Sequence, residues 1–94
     1  MIIENPNNYT HIGFAKSSTK NKKYDAILKN KETGRTKKVP FGDARFQQFY
    51  DSTGLNLYTH LNHGDKARRR LYYDRHGMTA PLYSSKWFSH KYLW

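Results

Sequence analysis

The sequence predicts a small α+β domain in which a basic β-hairpin lies on two or three short helices and an aromatic C-terminal segment closes the chain. Three observations carry that expectation. Residues 22–41 hold two alternating runs around a short polar turn. Gly42-Asp43 and Gly64-Asp65 each precede a run that can be helical, and residues 84–94 join a capping serine to a dense aromatic set.

In chain order, residues 1–21 are expected to form a partly flexible N-terminal arm. Pro6 and three asparagines break up its beginning, and Ser17–Asn21 is a polar lead-in, with Tyr9, Ile12 and Phe14 available to anchor it. The domain proper is expected over 22–94. In the hairpin 22–41, Tyr24, Ala26 and Leu28 share one face of the first strand, and Asp25, Ile27 and Lys29 share the other. Lys31-Glu32-Thr33-Gly34 makes the turn, with Gly34 free to take positive φ. Val39 and Phe41 are the apolar pair of the second strand, and Pro40, which lacks an N–H, belongs at a strand end or on an edge. A lone hairpin is marginal in water, so it must be covered by the helices that follow.

The first helix is expected over about 43–51, capped by Asp43, with Phe46, Phe49 and Tyr50 at i, i+3 and i+4 forming a buried stripe. Thr53-Gly54 ends it. Leu57 and Leu61 favour a further short helical segment. The second helix, 65–76, is capped by Asp65 and stopped by Gly77. Its apolar strip is narrow, Ala67 and Leu71, and at about 100° per residue the opposite face carries Lys66, Arg69, Arg70, Tyr73 and His76. Residues 78–82 form a linker containing Pro81. In the segment 84–94, Trp87, Phe88, Tyr92 and Trp94 must dock on their own domain or on a neighbouring copy, because exposed together they would aggregate.

Composition narrows the function. Ninety-four residues make one domain of modest stability. The absence of cysteine excludes a disulfide framework and thiolate metal sites, which fits a reducing or redox-indifferent compartment. No apolar run approaches membrane-spanning length and no leader is apparent, so a soluble intracellular protein with no membrane partner is expected. Seventeen Lys and Arg against seven Asp and Glu leave a net charge of +10, a surplus that implies a polyanionic partner. The cations fall in two clusters, Lys22, Lys23, Lys29, Lys31, Arg35, Lys37 and Lys38 on the hairpin, and Lys66, Arg68, Arg69, Arg70 and Arg75 on the helix with Tyr73 beside them. Lysines act as point charges on phosphates and arginines as bidentate donors.

Three segments taken together resemble a known family: K-Y-D-A-I-L-K-N-x-x-T-G-R-x-K-K-V-P-F-G (23–42), T-G-L-x-L-Y-x-H-L-x-H-G-D-x-x-R-R (53–69) and Y-S-x-x-x-F-S-x-x-Y-L-W (83–94). The family is one of small basic proteins of nucleocytoplasmic large DNA viruses, among them the giant viruses that infect amoebae. Its members often carry a Gly-Pro element where this chain has Ser85-Lys86-Trp87. The resemblance implies a viral origin, a place in the virion and the cytoplasmic viral factory, and no catalytic residues.

The leading expectation is therefore non-enzymatic, sequence-tolerant binding to nucleic acid: double-stranded DNA, with RNA as an alternative, condensed or packaged as a viral genome by a protein that self-associates through Trp87, Phe88, Tyr92 and Trp94. A second class is a virion structural or assembly protein that contacts other virion components. A third is a metal-dependent nuclease built on His60, His63, His76 and Asp65, for which no recognisable metal signature exists. No cofactor, metal or small-molecule substrate is expected. Tyr58, Tyr72 and Tyr73 are candidates for stacking on unpaired bases.

Overall fold

The structure, a computed structural model, describes residues 3–94. It is α+β: three antiparallel strands in the order β1-β2-β3, where β1 is Tyr9–Lys16, β2 Lys22–Asn30 and β3 Thr36–Asp43, and two helices, α1 (Lys66–His76) and α2 (Ser85–Tyr92). Single-turn 3-10 segments at Pro6–Asn8 and Thr59–Leu61 complete the regular elements.

The hairpin follows its alternation. Tyr24, Ala26 and Leu28 are buried, as are Val39 and Phe41, which pair with Ala26 and Tyr24 across β2 and β3. The proline-bearing β3 lies at an edge, where a missing N–H costs no ladder bond. At the turn, the Asn30 side chain accepts from the backbone N–H groups of Glu32 and Thr33 at 2.9 and 3.1 Å, and Gly34 takes a φ of 73°.

The expected N-terminal arm is instead a third strand. Residues 9–16 pair with β2 along their length, Ser17–Asn21 is the connection between the two strands, and Ile3 is buried in the core. Met1 and Ile2 of that arm lie outside the described residues. A β-bulge between His11 and Gly13 makes Ile12 the extra residue. One extra residue reverses the alternation, so Ile12 points outward while His11 and Phe14, three apart, face the core together with ring centroids 4.6 Å apart. Period-two reading pairs Ile12 with Phe14; the bulge separates them.

The expected helix at 43–51 is absent. Asp43 ends β3, and its carboxylate accepts from Arg45 N at 2.9 Å and from Arg45 Nε and Nη2 at 3.0 and 2.8 Å. The side chain suited to capping a helix here closes a turn, a competition open to any Asp. Phe46 and Tyr50 are consequently exposed and form no buried stripe. Residues 44–64 cross the molecule as irregular chain, held by a parallel bridge between Gln48 and Asn62 and by Tyr50 N and Ser52 N donating to the carbonyls of Leu93 and Tyr92 at 3.1 and 2.9 Å. Leu57 is exposed, and the helical segment expected around it shrinks to the turn Thr59–Leu61.

Helix α1 has the expected cap and stop: Asp65 accepts from Ala67 N and Arg68 N, and Gly77 takes a φ of 75°. It docks by the opposite side from the one its apolar strip suggests. Leu71 is exposed, none of the helix is fully buried, and the partly buried residues are Tyr72 and Tyr73, with the exposed Arg69 bonded to Trp94 beside them. Tyr72 stacks on Trp94 with ring centroids 4.4 Å apart, and Tyr73 OH donates to His90 O at 3.0 Å. An amphipathic strip of two residues buries too little to outweigh two tyrosine rings.

Helix α2 begins at Ser84, whose hydroxyl accepts from Trp87 N at 3.1 Å, and packs on β3, where Ser85 Oγ donates to Pro40 O at 2.6 Å. Phe88 and Leu93 enter the core. Gly42 is fixed by that packing. Its φ is 74°, and a Cβ there would lie 2.8 Å from Leu93 Cδ1, so neither the backbone nor the space admits a larger residue.

Beneath the irregular segment lies a buried polar network. Tyr24 OH donates to Asp51 Oδ2 and accepts from Leu57 N at 3.1 Å; Lys23 Nζ donates to Gln48 Oε1; Gln48 Nε2 donates to Tyr58 O at 2.8 Å and Asn62 Oδ1 at 2.5 Å. Tyr24→Phe would leave a buried carboxylate short of a donor, so urea unfolding should record a loss of about 1–3 kcal/mol. Tyr50→Phe, on an exposed ring, should stay within about 0.5 kcal/mol of wild type.

Candidate nucleic-acid interface

Among the described residues the one ion pair is Arg45–Asp43 at 2.8 Å. The other carboxylates are engaged elsewhere or stand alone. Asp25 accepts from Ser17 Oγ at 2.7 Å, Asp51 holds Tyr24 and Thr53, and Asp65 caps α1. The cationic surplus therefore stays on the surface without internal neutralisation, and it gathers in two places.

The first is the β2–β3 tip. Lys29, Lys31, Arg35, Lys37 and Lys38 are all exposed there, beside the turn that Asn30 organises, with Glu32 in the turn and Glu4, which shares a pocket with Asn30 and Lys37, as acidic neighbours. The second is a cleft of about 710 Å³ between the turn at 42–47, α1 and α2. Lys22, Lys23, Arg45, Arg68, Arg75 and Lys86 line it, and among the described residues Asp43 is the only acidic side chain that does. Lys22 and Asn30 stand at opposite ends of β2, and the nearest tip cation, Lys38, pairs with Ile27, so at about 3.3 Å per residue the two basic regions are about 17 Å apart at their nearest. That is about two Debye lengths at physiological salt, about 8 Å each, so direct interaction between the two regions is largely screened.

Within the cleft, the Arg45 hydrogen bonds hold the Asp43 carboxyl down to about 2 despite partial burial. Arg68 Nη1 donates to the neutral Gln47 Oε1 at 2.7 Å and Lys86 Nζ to the His76 carbonyl at 3.3 Å, contacts that orient both cations without cancelling their charge.

Several residues expected at the interface are withdrawn from it. Lys23 is buried, 1% exposed, with its ammonium on Gln48. Only its stem reaches the cleft floor, and burial pushes its pKa down to about 8 against the pull of Asp43 and Asp51. Arg69 donates from Nε to the Trp94 carbonyl at 2.6 Å and lies over Phe49, 5.1 Å from the ring centroid, so it is a docking residue of α1. Tyr73 is tied to His90 and Tyr72 to Trp94, and the edge of Tyr58 meets Tyr24, which removes all three as free stacking platforms. Lys66 and Arg70 are exposed on the outer flank of α1, outside the cleft.

The aromatic set expected to join copies is spent within the chain. Phe88 is fully buried, Tyr92 packs edge-on to Phe14, Trp87 lies between Tyr83 and Lys91, and Trp94 stacks on Tyr72. A core needs these rings because few aliphatic residues compete for it.

Arg45, Phe46 and Lys86 belong to the site and escaped sequence reading. Arg45 and Phe46 were hidden in the expected helix and Lys86 among the tail aromatics; the signal available was the charge of Lys86 at a position where a purely apolar tail has no use for it. Of the histidines, His60 lies beside Tyr58 and His63 beside Trp94. Among the described residues no group of three or more His, Asp or Glu side chains is arranged to hold a metal, and no helix is long and apolar enough to cross a membrane. No protein family, curated protein or solved structure was found to match this chain.

The buried amine gives a pH signature. Because the Lys23 pKa falls from 10.5 to about 8 on folding, the unfolded chain holds more protons between those values, and this group's contribution to stability rises with pH across that window. The difference in unfolding free energy between wild type and Lys23→Met should shift in favour of wild type from pH 8 to 10.5; a flat difference would contradict the assignment.

Proposed function

We propose that this protein binds nucleic acid through its phosphates, without sequence preference, and that it condenses or packages duplex DNA. The observation that carries the reading is the near absence of internal neutralisation: one ion pair among the described residues of a chain with a net charge of +10. A domain that keeps so many like charges exposed is destabilised by self-repulsion unless a polyanion relieves it. Each cation that contacts a phosphate releases condensed counterions, which supplies affinity for any sequence.

Two basic regions at opposite ends of β2 support condensation as well as binding. One can hold one duplex while the other meets a second duplex or a further turn of the same one. The resemblance to small basic proteins of large DNA viruses supports a viral genome as the DNA, and the virion and viral factory as the place.

Binding to plasmid DNA should weaken with salt at a log–log slope of about −5 or steeper, the value for about six neutralised phosphates. Replacing Lys31, Arg35, Lys37 and Lys38 with glutamine should make that slope shallower and abolish DNA condensation seen by light scattering, while the cleft retains binding. A flat slope for the wild-type protein would overturn the reading.

A further inference from the structure

The cleft between the 42–47 turn, α1 and α2 differs in kind from the hairpin tip. The tip is convex and carries only flexible cations, whereas the cleft is concave, bounded on three sides and chemically mixed. A volume of about 710 Å³ lies within the 300–1,000 Å³ range of sites that enclose a drug-sized molecule. A duplex can lie across the cations at the rim but is too broad to enter such a space, since its major groove alone is about 12 Å wide. One or two nucleotides of an unpaired strand can.

The lining supplies both halves of a nucleotide's chemistry. For the phosphate, Lys22, Arg68, Arg75 and Lys86 border the cleft without a carboxylate partner among the described residues, and the single acidic group, Asp43, is occupied by Arg45. For the base, Phe46 lines the cleft with 63% of its surface exposed, the largest exposure of any Phe, Tyr or Trp among the described residues. The Arg45 guanidinium sits over that ring at 5.6 Å from its centroid, so an arginine already pinned by Asp43 steadies the platform. An exposed phenylalanine costs solubility and does nothing for this core, which it does not touch. Cations along a groove with an aromatic face between them form the arrangement by which single strands are held without regard to sequence.

We propose that this cleft is a binding groove for unpaired nucleic acid, with Arg75, Lys86, Lys22 and Arg68 on the phosphates and Phe46 stacked on a base. The groove rests on the reading of the protein as a nucleic-acid binder and gives it a second ligand class, single strand inside the cleft beside duplex at the tip and across the cleft rim. A strand end, a melted region and a transcript all present this chemistry.

Fluorescence anisotropy of the full chain with labelled oligo-dT, oligo-rU of equal length and a duplex tests it. Phe46→Ala should weaken both single strands about five- to 150-fold, the range of one base–aromatic stack, and leave duplex binding unchanged. Arg75→Gln with Lys86→Gln should weaken single strands more than duplex, and the glutamine variant of the tip should do the reverse. Equal losses for dT and rU assign the groove to any unpaired strand, and a loss confined to rU assigns it to RNA. If Phe46→Ala is silent, or if it lowers duplex and single-strand binding alike, the groove is overturned while general nucleic-acid binding stands. If no probe binds in a salt-dependent way, both fall together.

Discussion

The bond between Lys23 and Gln48, with the Tyr24–Asp51 bond beside it, is the constraint on which the rest of this molecule depends. Residues 44–64 have almost no repeating structure of their own, and a chain that makes no helix or ladder must pair its backbone some other way. Gln48 does so by reading both directions: its oxygen takes the Lys23 amine from the sheet, and its nitrogen reaches the Tyr58 carbonyl and the Asn62 side chain. Asn62 in turn accepts from Asp51 N at 2.8 Å, which closes the circuit on the carboxylate that holds Tyr24. In a low-dielectric interior such a network stabilises only when complete, because each unpaired member costs its full desolvation. The irregular segment is therefore specified as tightly as a strand, though by side chains.

That network also places the candidate cleft. By anchoring Gln48 it holds the neighbouring turn, with Arg45 and Phe46, against the end of β2, and Gly42 lets Leu93 come close enough to bring α2 alongside. Helix α1 forms the third wall by a different means. It buries no residue completely and is held by the Tyr72–Trp94 stack, the Tyr73 and Arg69 hydrogen bonds and the Arg69–Phe49 contact. An element with so little buried apolar area belongs to the low-stability end of the fold, so one wall of the cleft is held less firmly than the sheet.

How much of this was legible in the chain varies by element, for physical reasons. The hairpin was legible because Tyr24, Ala26, Leu28, Val39 and Phe41 alternate and Asn30 to Gly34 carries turn chemistry, all within the reach of local rules. The bulge at Ile12 was not, since an inserted residue leaves the composition of a strand unchanged and shows only through the partner's register. Phe46, Phe49 and Tyr50 at helical spacing misled because Asp43 had two local options, and the one it took depends on Arg45 closing over it. The excess of cations was plain; that Lys23 and Arg69 are spent on internal bonds and that Arg45 and Lys86 face the cleft was not.

The sequence by itself determined that the chain is a small α+β domain with a hairpin of known faces, a capped and terminated helix at 65–76, and a net charge of +10. Alternation, capping and net charge act between near neighbours or over the whole chain at once, so they can be read without coordinates. Only the tertiary structure decided which side of α1 docks, that the first twenty residues supply a strand, and which cations share a concavity. Those outcomes turn on contacts between residues such as Tyr72 and Trp94, or Lys23 and Gln48, whose separation along the chain is more than twenty positions. Pairing at that range is selected by packing and by the cost of leaving buried polar groups unmet, and no local pattern records it.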